Sequence, residues 1–242
     1  MGLPKLNSVE YFGTLPISQI EVKYRPFNVK EQKILLQALE EGQTKGIANS
    51  LIGLIQSCAE LQAENWLVED LSNTDLEWLF VQIRMKSVGE TTQIRLGCKK
   101  QSCDGHTPIE IEFDKMEIEG ELRDNRVMLT DEVGVVLRFP SYTDMQEIYA
   151  DGEVEGHVTN NLFEVLNRCI IQVFDGEEVH EVHEFTTKEV NDFVDNLQID
   201  QFNIMMDWFG SVPKMVYKVD YECEECSLRQ QQTLEGLQNF FV

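Results

Sequence analysis

Ile94-Arg95-Leu96-Gly97-Cys98-Lys99-Lys100-Gln101-Ser102-Cys103 and, far downstream, Val219-Asp220-Tyr221-Glu222-Cys223-Glu224-Glu225-Cys226 decide how this chain is read. In each, residues of alternating polarity run into a first cysteine, and a short turn delivers a second. Alternation with period two marks a half-buried strand. Two strand ends, each offering a pair of thiols, form the ligand pattern of a zinc ribbon, because Zn²⁺ takes a closed tetrahedron of soft donors. The predicted ligands are Cys98, Cys103, Cys223 and Cys226, holding one structural Zn²⁺. His106 follows three residues after Cys103, so ligation by His106 with Cys98 or with Cys103 stays open. The competing reading is a set of reduced surface thiols left by a decayed site. A redox Cys-x-x-Cys fits poorly, since Glu224 and Glu225 disfavour a thiolate.

Working outward, Thr91–Leu96 and Pro108–Phe113 read as one strand pair, and Val127–Leu129 with Val135–Phe139 as a second. Upstream, residues 1–27 read as an extended arm, with Ile20, Val22 and Tyr24 on one face of a strand that Pro26 ends. Ile34, Leu35, Ala38 and Leu39 then recur at helical spacing up to Gly42, and Ile47, Leu51, Leu54, Ile55 and Cys58 mark a second helix. A third starts at Asn73 or Thr74 and ends near Gly89, with Glu77 placed for a capping box on Thr74.

Past the strands, Ser141 caps a helix through Met145, Ile148 and Tyr149, and a further helix is predicted over Leu162–Phe174 with Cys169 in the core. Asp175–His183 reads as a polar hairpin or loop. Thr186 and Glu189 form a capping box before Val190, Phe193 and Leu197, and another helix carries Phe202, Met205, Met206 and Phe209. The apolar end, Phe240-Phe241-Val242, reads as docked. The order gives an α+β fold, with helical halves around an antiparallel β-hairpin region. Its expected divisions are an arm plus helices at 1–90, the hairpin region at 91–140, a helical region at 141–212, and a strand with its cysteine knuckle at 213–242, packed on 91–140.

The 242 residues carry 43 acidic and 20 basic side chains, a net charge of −23. Nucleic-acid binding driven by Lys and Arg on phosphates is therefore excluded, and an anionic membrane surface would repel the chain. No run approaches the ~20 apolar residues of a spanning helix. Met1–Phe12 has no basic-then-apolar leader layout, so a reducing, cytoplasm-like compartment and no disulfides are expected. The expected partners are other proteins.

No phosphate-binding glycine loop, nucleophile elbow or kinase signature occurs, and no pair stands out among so many carboxylates, so an enzyme is not expected. His180 and His183 lack the spacing of a zinc-protease helix and read as part of a solvated loop, with His157 exposed or at a helix start. For contacts, Arg25, Pro26 and Phe27 have hot-spot chemistry, with a core Phe27 and an ion-paired Arg25 as the alternative. Arg84 and Lys86 read as caps on a helix end or as partners of an acidic surface.

Leu3-Pro4-Lys5-Leu6-Asn7, Tyr24-Arg25-Pro26-Phe27 and Lys30-Glu31-Gln32-Lys33-Ile34-Leu35-Leu36 carry a resemblance. So do Arg84–Glu90, both cysteine segments, Leu234-Glu235-Gly236-Leu237 and Phe240-Phe241. Together, over nearly the whole chain, they resemble the T4-type bacteriophage baseplate hub family, its small hub subunits and hub-assembly factors. That resemblance implies a non-enzymatic part in building the hub, with other hub or tape-measure proteins as partners. It implies residence in the virion baseplate, or in host cytoplasm during assembly, and carries no catalytic residue. The alternatives are a generic zinc-ribbon adaptor, which a basic face would favour, and a hub-associated cell-wall hydrolase, which would need a paired-carboxylate cleft.

Overall fold

A computed structural model describes residues 8–41, 44–148 and 158–236. The chain forms two compact units, one from residues 1–68, 74–119 and 214–242 and one from residues 69–73 and 120–213. Among the described residues there are seven helices and twelve antiparallel strands in small sheets, an α+β fold as expected. The 91–140 stretch is divided between the units, and of the 213–242 stretch all but Pro213 belongs with the first.

The first unit opens with β1 (Tyr11–Thr14) and β2 (Glu21–Tyr24), followed by α1 (Val29–Glu41), α2 (Thr44–Cys58) and β3 (Ala59–Leu61). The three strands form one sheet in the order β1-β2-β3. Val22 and Tyr24 are buried, as the alternation requires. α3 (Asn73–Val88) follows, and its wholly buried Asp75 accepts the Ile17 and Ser18 N–H groups at 2.8 and 3.0 Å, fixing the β1–β2 connection to the helix.

β4 (Thr91–Gly97) and β5 (His106–Glu112) then pair as a hairpin. A second sheet has β6 (Glu117–Glu119) and, late in the chain, β11 (Lys214–Glu222) and β12 (Arg229–Glu235), ordered β12-β11-β6. The inward residues of both ribbons share one core: Ile94, Leu96 and Ile111 from the hairpin, Met215, Tyr217, Val219 and Tyr221 from β11, and Val81 of α3. The second unit leaves and rejoins this sheet at neighbouring points, since Glu119 of β6 pairs with Lys214 of β11. Gly120 sits at that neck with a φ of +116°, and a Cβ there would lie 2.9 Å from Cα of Pro213, so only glycine fits.

The second unit has β7 (Arg126–Met128), β8 (Val133–Leu137), α4 (Tyr142–Ile148), α5 (Val158–Cys169), β9 (Ile170–Asp175), β10 (Glu178–Glu181), α6 (Thr187–Asp195) and α7 (Ile199–Gly210). Its sheet runs β10-β9-β8-β7. Val135, Leu137, Leu166, Ile170, Met205 and Trp208 form the core, with Phe139 stacked on Trp208 at 4.4 Å. The helix expected over Leu162–Phe174 stops at Cys169 and becomes β9. Ile170, Ile171, Val173 and Phe174 are β-branched or aromatic, and two flanking strands satisfy their backbone, which outweighs the helical spacing of Val165, Cys169 and Val173. Cys169 is fully buried.

Two predicted helix caps are present. Thr186 accepts the Glu189 N–H while the Glu189 carboxylate accepts the Thr186 N–H. Ser141 and Asp144 do the same at 3.1 and 2.8 Å, and Asp144 also takes a two-pronged contact from Arg138. Gly42, His157 and Phe240–Val242, all singled out from the sequence, lie outside the described residues. Among the described residues, no helix is long and apolar enough to cross a membrane.

Candidate metal centre

The β4–β5 hairpin and the β11–β12 hairpin bring their tips together. Cys98 leaves β4 and Cys103 precedes β5. Cys223 leaves β11, and Cys226 sits in the turn before β12. The four sulfurs all lie within 4.8 Å of one another. Across the hairpins, Cys98 Sγ is 3.7 Å from Cys226 Sγ and Cys103 Sγ is 3.8 Å from Cys223 Sγ. All four cysteines are free thiols. A metal ion with sulfur bonds of about 2.3 Å at the centre of a tetrahedron sets its ligands about 3.8 Å apart, so these separations suit one ion.

Both turns are built by backbone contacts. The Cys98 N–H donates to the Gly105 carbonyl at 2.8 Å and the Cys103 N–H to the Lys100 carbonyl at 2.9 Å, which closes the first loop. In the second, the Cys223 N–H donates to the Leu228 carbonyl at 3.0 Å and the Ser227 N–H to the Cys223 carbonyl at 2.9 Å. The hairpins are also tied to each other. The Tyr221 hydroxyl donates to the Gly97 carbonyl at 2.8 Å, the Glu224 N–H to the Thr107 hydroxyl at 3.2 Å, and the Lys99 N–H to the Gln230 side chain at 2.6 Å.

Gly105 completes the cradle. A Cβ on it would lie 2.9 Å from Cys223 Sγ and 3.1 Å from the Glu225 side chain, so any other residue would push into the sulfur cluster. The Gln230 side-chain amide donates to Cys98 Sγ at 3.4 Å, a neutral donor toward a sulfur that carries charge when it binds metal.

The thiols do not titrate alike. Backbone N–H groups of Cys226 and Glu225 point at Cys223 and lower its pKa to about 7. The Gly105 N–H works in the same direction on Cys103, yet burial and the neighbouring thiols push that one up to about 12. Cys226 is likewise raised, against the pull of the Leu228 N–H. One negative charge is welcome among these sulfurs and further ones repel, so a second thiolate needs a cation in their midst.

All four predicted ligands are thus brought together, and His106 is not among them. Its Nδ1 lies 2.9 Å from the Asp104 carbonyl of its own turn. His180 stands on β10, 4.0 Å from Glu178 and edge-on to Phe185, while His183 lies 4.0 Å from Glu181, so the two face separate carboxylates. Cys58 and Cys169 are core thiols whose pKa burial pushes up to about 11 and about 12. Gly105 and Gln230 are the contributors that sequence reading missed. The Asp104-Gly105 turn signal was present for the first, whereas nothing local marks the second.

The residues weighed for partner contacts are engaged within the chain. Arg25 grips Glu31 at 2.7 and 3.1 Å and donates to the Ser57 carbonyl at 2.6 Å. Burial works to raise the Glu31 pKa, but the Arg25 guanidinium and the Asn28 N–H outweigh it and hold the carboxyl at about 2. Arg84 donates to the Gly89 carbonyl at 2.9 Å and lies over the Phe113 ring, closing the end of α3. Lys86 sits 3.9 Å from Glu90.

No curated protein and no solved structure matches the chain. A family model described as T4 bacteriophage base plate protein does, over residues 8–242. A match of that extent covers both units, the two cysteine-tipped hairpins included, and the chain belongs to this phage family, as a protein of the tail baseplate.

Proposed function

We propose that the chain is a non-enzymatic hub subunit or hub-assembly factor of a contractile phage tail, acting through contacts with other hub or tape-measure proteins. Its four cysteines hold one structural Zn²⁺. The family match supports the baseplate role, and the sulfur separations of 3.7 and 3.8 Å across two hairpins support the metal. Zn²⁺ is the natural occupant of four thiolates arranged this way, and a closed set leaves no open position for a reacting water. The metal would therefore fasten and not catalyse. Cys98 and Cys103 fix one hairpin tip, Cys223 and Cys226 the other, and Gly105 lets the two close.

Elemental mass spectrometry of the purified protein tests the metal: about one zinc per chain is expected, lost in Cys223→Ser with Cys226→Ser. Wild type purified without chelator and free of zinc overturns it. For the role, protein mass spectrometry of finished baseplates separates a resident subunit from a departing assembly factor, and a phage lacking the gene should make no complete hub. Cleavage of purified cell wall by the protein would instead favour the hydrolase.

A further inference from the structure

β12 closes one side of its sheet, and no described strand pairs with its outer side. The ladder fixes which backbone groups face outward. The Cys223 N–H bonds the Leu228 carbonyl, and from there the β11–β12 register pairs Tyr221 with Gln230, Val219 with Gln232 and Tyr217 with Leu234. In an antiparallel ladder only alternate pairs exchange hydrogen bonds, so Arg229, Gln231, Thr233 and Glu235 turn their N–H and C=O groups away from β11. A second observation agrees: the Gln231 carbonyl accepts the Lys99 Nζ at 2.6 Å, from outside the ladder.

We propose that two copies of the chain join β12 to β12, antiparallel, about a two-fold axis at Gln232. In that register Arg229 lies opposite Glu235 of the other copy, Gln230 opposite Leu234, and Gln231 opposite Thr233. The outward N–H and C=O groups of Gln231 and Thr233 then face those of the other copy. The register also respects the faces of the sheet. Gln230 and Leu234 are buried while Arg229, Gln231, Thr233 and Glu235 are exposed, and each residue meets one of its own face. A two-fold axis makes the contact closed and self-complementary.

Charge favours this edge over β6 and β10. In a chain of net charge −23, β12 is neutral, with Arg229 and Glu235 at its two ends as its only charges. β6 and β10 are also sheet edges, but the same two-fold pairing would set Glu117 against Glu119 on one and Glu178 against Glu181 on the other. Like charges directly opposite destabilise a strand pair. Within one chain Arg229 reaches Glu222 at 3.4 Å and Glu235 reaches Lys214 at 3.3 Å, exposed contacts that a new strand can supplant. Lys99 is the guard on this edge, and the second strand displaces its Nζ from Gln231.

Sedimentation equilibrium of the full chain at rising concentration tests this, with circular dichroism and metal content confirming that each variant folds. Wild type should dimerise. Arg229→Glu and Glu235→Arg should each weaken the dimer about tenfold or more, because each sets like charges opposite at both ends of the contact. The two together should restore it, and Lys99→Ala should tighten it. Thr233→Pro removes an outward N–H without touching the β11 ladder, and should abolish the dimer. A chain that stays monomeric at every concentration overturns the proposal and leaves the edge to a strand of another protein. A dimer indifferent to these changes overturns it as well.

Discussion

The cysteine-tipped ribbons of the first unit and the four-stranded sheet of the second solve one problem in two ways. Both must hold strands that are distant in sequence. In the second unit Leu137, Met205 and Trp208 are nearly wholly buried and Phe139 stacks on Trp208, so apolar contact suffices. The ribbons share an apolar core as well, but it ends before the tips, where Lys99, Lys100, Asp104, Glu224 and Glu225 crowd the turns. Charged turns bury little, so the tips need another fastening, and four thiols stand where it would be. Apolar contact holds one unit, and the proposed metal would fasten the tips of the other.

The largest break in that comparison comes from the proposed metal site. Metal binding to such sites is linked to folding and amounts to roughly 10–16 kcal/mol in isolated zinc-binding peptides. Cys223→Ser with Cys226→Ser, or a strong chelator, should therefore strip hydrogen-exchange protection from β4, β5, β11 and β12. β7 to β10 should keep theirs, and equal loss in both units would dissolve the contrast. Next in size, Trp208→Ala should cost about 3–5 kcal/mol. It also leaves the Asp124 carbonyl without the indole N–H it now accepts at 2.8 Å. Zinc content should not change, and protection should fall in β7 to β10.

Acid separates the two fastenings further. Burial works to raise the Asp144 pKa, but Arg138 and the Ser141 N–H outweigh it and leave it lowered from the ordinary 3.8. A lowered folded-state pKa adds stability above that ordinary value and loses it as pH falls through the folded one. The second unit should thus lose this contribution only below about pH 4. The metal should leave at higher pH, because protons compete for its thiolates. Asp144→Asn should remove about 1–2 kcal/mol at neutral pH and flatten the acid limb of thermal unfolding. The smallest change, Thr186→Ala, deletes a helix cap and should cost about 1 kcal/mol in the second unit alone.

What the sequence made legible follows from how local each signal is. β4, β5 and the later part of β11 alternate, and the short cysteine spacings sit at their ends, so the strands and the candidate ligands could be read. The Ser141 and Thr186 caps are four-residue patterns and were equally plain. β12 was not found, because Arg229-Gln230-Gln231-Gln232-Thr233-Leu234-Glu235 has one apolar residue and takes its strand form from β11. β9 was read as the end of α5, because Val165, Cys169 and Val173 fit a helix, and the pairing that overrides them lies elsewhere in the chain. An ion pair for Arg25 was one of the readings, but its partner Glu31, like the contact of Gln230 with Cys98, depends on folded geometry that no spacing announces.

The neck at Gly120 and Pro213 has a consequence for the order in which the molecule is made. The second unit is inserted in the sequence of the first, so the ribosome must deliver all of it before β11 exists. Cys223 follows Cys103 by 120 residues, which at roughly 5–20 residues per second means a delay of about 6–24 s. Through that interval the β4–β5 tip waits with half a set of sulfurs. Closure of the four-cysteine set is then a signal of completion, because a chain that stops early cannot make it.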